Sequence, residues 1–558
     1  MPKGYFSNGA PDPGWWMEQI NAALEYRKKF ANEDMWDEWR RYYRGQWDKD
    51  ILPVNVTFSH LRSMVPRVYF RNPSVSVTPA RAGFLDMAFA EVVNKLDNLM
   101  LQQMAVKQEL KMMVQDAFLF GTAIGKLGFS TGETQRERVD YDHTMHSNMP
   151  WFRRVPPGEF LVPDGSRDFR DMRWVAHWMQ RSKDDVAADK RLNQQVRHDL
   201  PATKTLGGSA SIEQPVDMVD LVEIRDAKTQ KVILLAPFGD GDQPQGKVLL
   251  VADDIMQAPG LGFNMFPVIF NPDDEVFWGV SDVKILEPQQ LERNEIRTQM
   301  MKHRRLLLVK LLVRRGKITE SEAVKMVSED VGPIVYVDGD PDAAVSKLQI
   351  SNIPTDLIVA DREVGQDIRE TLGFSRNQLG ELQSRRGDTS ATEAKIVSDA
   401  SEIRIDERRD IIADVLVRMV KMMNDILFDR WQGEQVAEVI GPGGAQIWVK
   451  FNPRDLGMGH YNVKVDPDSS TPRTRGLREA KAVKIYEILK SNPFVDPEAL
   501  TRFLLNELEG VEVSDLMRAL PPPQQQPNGP VGLPEFAGML QQGVRSVQGG
   551  ARPRLGAG

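Results

Sequence analysis

Few residues in this 558-residue chain are spaced for chemistry, and each candidate lacks a part that the chemistry needs. Gly241-Asp-Gln-Pro-Gln-Gly246-Lys247 has the spacing of a phosphate-binding loop, but Val248 stands where a Ser or Thr would hold magnesium. That loop also leads into an apolar run instead of leaving a strand for a helix, so it reads as a hairpin turn. Gly121-Thr-Ala-Ile-Gly125-Lys126 is one residue short of the same motif. Asp338, Asp340 and Asp342 open like a calcium loop, yet Ala343 replaces the required glycine and Gln349 occupies the twelfth position. An exposed acidic turn is the expectation there. His143 and His146 are three apart in what reads as a polar loop, with no helical pattern to converge them on a metal. With no cysteine, thiolate catalysis, disulfides and cysteine-based metal sites are excluded. Carboxylates abound, but nothing selects a catalytic pair. The expectation is a protein that is not an enzyme and uses no cofactor and no metal.

The remaining chemistry is cationic. Lys302, His303, Arg304 and Arg305 close a helical stretch, where positive charge suits the helix dipole. Arg314 and Arg315 end the next apolar run, and Arg376, Arg385 and Arg386 lie on a polar segment further on. Such clusters serve either as solvated surface or as transient, sequence-independent phosphate contacts. The whole chain is acidic, at −8 from 71 basic and 79 acidic side chains. That argues against gripping nucleic acid by bulk charge and is compatible with letting it slide past. The first residues, MPKGYFSNGAPDPGWW, have no apolar core of the signal-peptide type. The most apolar run, Leu306 to Val313, is interrupted by Lys310 and is too short to cross a membrane.

The elements that must position these residues are mixed. Residues 14–46 read as one Trp-rich helix, 58–69 as a short helix, 74–77 as a strand and 84–120 as one long helical stretch. Residues 151–270 are β-rich, with a hairpin between 221–224 and 231–235 and a polar helix near 182–199. Pro288 reads as the first residue of a helix that runs to Arg305. A strand 306–313, a helix opened by the capping box Thr319/Glu322, and a strand 334–337 follow. A second helix begins after Pro354 and ends at Gly373, so two helices bracket a strand–helix–strand insert. Ser390 and Glu393 form another capping box, and no Gly or Pro interrupts 388–432; forty-odd residues would span roughly 60–65 Å. Strands at 447–451 and 461–465 and helices near 475–491, 497–508 and 513–519 complete the ordered part. Residues 521–558 hold 7 Pro, 8 Gly and 6 Gln and are expected to be disordered.

The order of these parts resembles the portal proteins of tailed bacteriophages, from about residue 40 to 520. The resemblance is carried by YYRGQWDKDILPVNVTFSHLRSMVPRVYFRNPSVSVTP, QDAFLFGTAIGKLGF and VPPGEFLVPDGSRDFRDMRWVAHWM. It continues through FPVIFNPDDEVFWGVSDVKILEPQQLERNEIRTQMMKHRR and SRRGDTSATEAKIVSDASEIR. It implies an α+β, mainly helical portal fold. Residues 1–275 would be the wing, 276–305 and 354–373 the two stem helices, and 306–353 the clip. Residues 374–388 would be the tunnel loop, 389–432 the long wing helix, 433–473 wing strands, 474–520 the crown and 521–558 a disordered tail.

The resemblance also implies a dodecameric head–tail connector ring at one capsid vertex, through which double-stranded DNA is packed and ejected without sequence specificity. Large terminase, the major capsid protein and head-completion or adaptor proteins would be its partners, with no membrane. It would be found in the virion, and in the host cytoplasm during assembly. Arg376, Asn377, Gln378, Gln383, Arg385 and Arg386 would face DNA. Lys302, His303, Arg304 and Arg305 would be the basic residues of the stem, and Arg314, Arg315, Lys317, Asp338 and Asp340 the docking residues of the clip. The rivals are another virion structural or scaffold protein without a channel, which the helix–insert–helix order speaks against, and a packaging enzyme, which needs a nucleotide or metal site that the sequence lacks.

Overall fold

The computed structural model describes residues 6–7, 10–69, 73–81, 83–129, 136–140, 143–146, 149–206, 216–238, 245–256, 262–306, 311–313, 319–327, 336, 338, 345–347, 355–372, 391–431, 435–440, 446–451, 461–465, 475–490, 500–501, 504, 531–532, 534–535, 538–539 and 541. The chain opens with β1 (Phe6–Ser7), β2 (Ala10–Pro11), α1 (Pro13–Phe30), α2 (Trp36–Arg44), α3 (Val56–Val68) and β3 (Val75–Pro79). Next come α4 (Phe84–Gln103), α5 (Val106–Phe120), β4 (Thr122–Phe129), β5 (Arg136–Asp140), β6 (His143–His146), β7 (Pro150–Val155), β8 (Phe160–Leu161) and β9 (Trp174–Ser182). Then follow α6 (Lys183–Ala188), α7 (Gln194–Arg197), β10 (Lys204–Leu206), β11 (Val216–Asp226), β12 (Lys231–Phe238), β13 (Gln245–Asp253) and β14 (Met265–Ile269). The remainder is α8 (Asp282–Leu306), β15 (Leu311–Val313), α9 (Glu320–Val327), β16 (Val345–Lys347), α10 (Thr355–Leu372), α11 (Ala391–Arg430), β17 (Gln435–Ile440), β18 (Gln446–Phe451), β19 (Tyr461–Val465), α12 (Arg475–Leu489) and β20 (Val531–Gly532). This mixture of helix and sheet is the expected α+β class.

The chain divides into two units, one built from 1–34, 63–281 and 405–558, the other from 35–62 and 282–404. In the first unit, an antiparallel sheet runs in the order β13-β12-β11-β9-β8, with β10 added to β11. Alternation along β11 and β12 gives it two apolar faces. One face packs Trp174, Val222, Ile224, Ile233 and Leu235 against Trp16, Met17 and Ile20 of α1. The other collects Val186, Leu192, Leu200, Leu221 and Leu249. Each such side chain contributes about 1.5–3 kcal/mol by leaving water. A second sheet, β14-β4-β7, lies with α5. At the turn from α5 into β4, Gly121 takes φ +86°, and a Cβ there would sit 2.1 Å from the Gly279 carbonyl oxygen, so no other residue fits.

In the second unit, α8 and α10 pack Leu286 and Ile296 against Val364 and Ile368. Arg293 and Arg297 both reach Asp361 (3.3 and 3.7 Å), and Gly365 lies against the Arg293 guanidinium. As numbers rise along α8 they fall along α10, so the helices are antiparallel. β15 pairs with β16 in the segment between them, which also holds α9.

Several expectations are corrected. The single helix over 14–46 is two, because Asn32 adopts φ 56° and a short 3-10 turn (Glu33–Met35) follows. The stretch 84–120 breaks at Ala105, which takes φ 51° between α4 and α5. The polar helix of 182–199 is two short ones, α6 and α7. Pro288 does not start its helix: α8 begins at Asp282, and Leu286, buried against α10, holds the turns before the proline. Of the strand read at 334–337 the one described residue, Tyr336, is outside any strand and exposed; β15 pairs with Val345–Lys347. His143 and His146 lie in a strand, not a loop. The expected disorder of 521–558 fails at Val531–Gly532, which pair in parallel with Val449–Lys450. The hairpin between β11 and β12 and the helices α10 and α11 stand where the sequence puts them.

Candidate functional sites

The sequence-predicted residues fall in two groups. Lys302, His303, Arg304 and Arg305 occupy the last turn of α8, with Lys302, Arg304 and Arg305 exposed and His303 half-buried. Four cationic or titratable groups at a helix C-terminus offset its partial negative charge and present charge to solvent. Asp338 is exposed. Arg314, Arg315, Lys317, Asp340, Arg376, Asn377, Gln378, Gln383, Arg385 and Arg386 lie outside the described residues. Among the described residues, no group of His, Asp and Glu is disposed to hold a metal ion, and no helix is long and apolar enough to cross a membrane.

Two polar constellations emerge that the sequence did not single out. The first is a cavity of about 510 Å³ between β7 and β9, lined by Lys126, Trp151, Arg153, Glu159, His177 and Trp178 among others. Lys126 rises from β4 and is 5% exposed. Its Nζ donates to Glu223 Oε2 (2.8 Å) and to His177 Nδ1 (3.1 Å). An ammonium has no lone pair, so Nδ1 is the acceptor and neutral His177 carries its proton on Nε2, which faces Glu159 Oε2 at 3.5 Å. Burial and the Lys126 charge both push the His177 pKa down. Burial alone would raise Glu223, but Lys126 and Arg225 outweigh it and hold the carboxyl far below the ordinary range. Arg225 in turn donates to Asp254. Lys126, Glu223, Arg225 and Asp254 thus form a neutral buried chain of alternating sign. Beside them the Arg154 guanidinium is forked onto Asp116. The only sequence signal was a lysine alternating with apolar residues in a strand, which is weak.

The second constellation belongs to the other unit. Gln290, Asn294 and Thr298, four residues apart on α8, share one buried face. The extended segment Leu52–Asn55 and the first turn of α3, which begins at Val56, run along it. Leu52 N donates to Thr298 Oγ1 (2.9 Å) and Val54 N to Asn294 Oδ1 (2.9 Å). Val56 N and Thr57 N donate to Gln290 Oε1 (2.8 and 3.2 Å), and Gln290 Nε2 returns a bond to the Val54 carbonyl (2.7 Å). α8 thereby pairs the extended backbone at Leu52 and Val54 as a neighbouring strand would, and its Gln290 caps the N–H groups that open α3. A polar stripe at i, i+4, i+8 was the available signal.

A family model described as phage SU10 portal protein matches residues 61–545. No curated protein matches the chain.

Proposed function

The chain belongs to the phage SU10 portal protein family, a family of structural, non-enzymatic head–tail connectors of the virion, and from that premise we propose that it assembles as a dodecameric ring at one capsid vertex. The ring is the channel through which double-stranded DNA is packed and later ejected, and the platform on which large terminase and then head-completion proteins dock. The match over residues 61–545 carries this reading, because it spans both units and the segments 306–353 and 374–388. The antiparallel pair α8 and α10, bracketing the β15–β16 and α9 insert, supports the assignment of stem and clip. The acidic net charge of −8 supports a channel wall that does not retain phosphate. Sparse arginines on 374–388 then make transient contacts with the duplex as it passes.

Single-particle imaging of the purified protein tests the ring. The expected result is a closed ring of about twelve subunits, with a lumen wide enough for a duplex. A compact, channel-free oligomer overturns the reading. For the DNA contact, Arg385→Glu with Arg386→Glu is expected to leave rings intact while packaging or genome retention falls. Unchanged packaging and retention in that variant would remove those arginines from the channel wall.

A further inference from the structure

We propose that Asp97 of α4 and Asn424 of α11 form a closed acid–amide pair, in which a protonated carboxyl both donates and accepts, and that this pair is a proton-dependent latch between the two helices.

Burial decides the state of the carboxyl. Asp97 and Asn424 are both 0% exposed. Asn424 Nδ2 donates to Asp97 Oδ2 (3.2 Å), while Asp97 Oδ1 and Asn424 Oδ1 each have no hydrogen-bond partner among the described residues. A carboxylate held in a dry site by one neutral hydrogen bond is too costly to persist, and such a group takes up a proton instead. The buried O–H then needs an acceptor. Oδ2 already receives the amide N–H, so the proton belongs on Oδ1. The acceptor is the other unpartnered oxygen of the same contact, Asn424 Oδ1. One proton thereby satisfies both oxygens, and two planar groups meet through two hydrogen bonds. The Asn424 amide also hydrogen-bonds the Tyr461 hydroxyl of β19, which steadies its orientation.

The charges around the pair leave the proton in control. β19 presents Tyr461, which burial and the Asp97 charge hold in its neutral form. α11 presents Asp425, whose own pKa burial raises. β3 has no titratable residue, and the one on β17 is Glu438. The lysines of the neighbouring elements do not act on Asp97: neither Lys95 of α4, Lys107 and Lys111 of α5, Lys421 of α11 nor Lys464 of β19 shifts it. Among the described residues, no cation stands ready to hold the carboxylate once the proton leaves.

The direction of the response follows from the proton. The folded form keeps a proton that the opened form releases. The latch is therefore at full strength below the ordinary carboxylate range and weakens as pH rises, by about tenfold in the opening equilibrium per pH unit, until the folded carboxyl itself ionises. Ionisation then sets a carboxylate oxygen against the Asn424 carbonyl oxygen, two acceptors with no proton between them, and the pair parts on that side.

The test uses the full chain from about pH 5 to about pH 9, with circular dichroism to show that each variant is folded. At neutral pH, infrared spectroscopy should show a protonated-carboxyl band that vanishes in Asp97→Asn. The band should move to higher frequency in Asn424→Leu, where the carboxyl has lost its partner. Hydrogen exchange, referred to the intrinsic rate at each pH, should show protection of the α4 amides around Asp97 falling by up to about tenfold per pH unit in the starting chain. In Asp97→Asn an amide makes both bonds at every pH, and protection should stay level within about threefold. Asp97→Asn with Asn424→Asp in one chain keeps the pair with its halves exchanged, and should restore both the carboxyl band and the pH response. Absence of any band that disappears in Asp97→Asn overturns the latch. So does protection in the starting chain as level with pH as that of Asp97→Asn. A band unmoved in Asn424→Leu overturns the pairing, as does a folded exchanged chain without a pH response.

Discussion

Two extended segments of this chain are held by helix side chains, and they are held differently. In the first unit, Val75 and Val77 of β3 donate backbone N–H groups to Asn98 Oδ1 (3.0 Å) and Asn94 Oδ1 (3.2 Å) of α4. The other edge of β3 pairs in full with β19. In the second unit, Leu52–Asn55 and the start of α3 have Gln290, Asn294 and Thr298 of α8, and the extended part belongs to no described strand pair. Asn94 and Asn98 are half-buried, whereas Gln290 and Asn294 are 0% and 3% exposed. Water can replace a lost partner at α4 and cannot do so at the middle of α8. One device, a helix imitating a strand edge, therefore reinforces a ladder in one place and replaces it in the other. The cost of an unmade hydrogen bond depends on whether water can make it instead.

The sharpest way to break this comparison is Gln290→Leu. It removes the described acceptor of the buried Thr57 N and one of the two bonds at Val56 N and at the Val54 carbonyl, which keep the 2.7 Å bond to each other. Leaving the buried Thr57 N–H unpaired should cost about 2–3 kcal/mol. The unit structure makes a single global transition an unsafe measure. The check is therefore hydrogen exchange, in which the Thr57 amide should lose protection while Val75 and Val77 keep theirs. Unchanged protection at Thr57 would mean that Gln290 does not hold the segment.

α4 carries the opposite imbalance one residue from Asn98. Asp97 is fully buried, accepts one bond from Asn424 Nδ2 (3.2 Å), and has no described partner for Oδ1. Burial raises its pKa well above the ordinary carboxylate value. The folded form therefore keeps a proton that the unfolded chain releases. Asp97 costs nothing below its unfolded pKa, and the cost grows as pH rises from there up to the folded pKa. Asp97→Asn should be near neutral at about pH 4 and stabilising at pH 7, on the order of 1–3 kcal/mol. Hydrogen-exchange protection of the α4 amides at both pH values, each referred to the intrinsic exchange rate at that pH, checks it. A penalty independent of pH would show that Asp97 ionises in place.

Asn98→Leu supplies the matching loss in the first unit. It removes the acceptor for Val75 N and the donor to the Val75 carbonyl, but the site is half-open and β19 still holds the other edge. About 1 kcal/mol is expected, read as a modest loss of protection at Val75. A cost equal to that of Gln290→Leu would show that burial does not separate the two devices.

The same contrast governs what was legible in the sequence. α11 could be read because a long stretch free of Gly and Pro, opened by a capping box, is a local signal, and α10 because Pro354 and Gly373 bracket it. The break at Ala105 could not, since an alanine at φ 51° is imposed by packing and not by its own preference. Nor could the pairing of Val75–Pro79 with Tyr461–Val465, which no local pattern encodes. The stripe Gln290-Asn294-Thr298 was in view, but polar residues at helical spacing are usually read as a solvated face. Of the candidate sites, the basic end of α8 was legible as a cluster in sequence. The cavity was not, because Lys126, Arg153, His177 and Glu223 come from four separate strands and meet only in the fold.

The smallest expected effect tests the explanation itself. Thr298 stands at the end of the α8 ladder, where it accepts from Leu52 N and donates to the Asn294 carbonyl (2.7 Å). Leu52 is 40% exposed, so water can reach the freed amide even though the partner helix is the one that carries the dry contact. Thr298→Val keeps the side-chain shape and removes only the hydroxyl. If access to water sets the cost, the loss should be about 0.5–1 kcal/mol, seen as faster exchange at Leu52 with Val54 and Val56 unaffected. If instead this change opens the whole segment through to Thr57, then the ladder acts as one cooperative unit, and the difference between the two regions lies in the missing partner strand and not in burial.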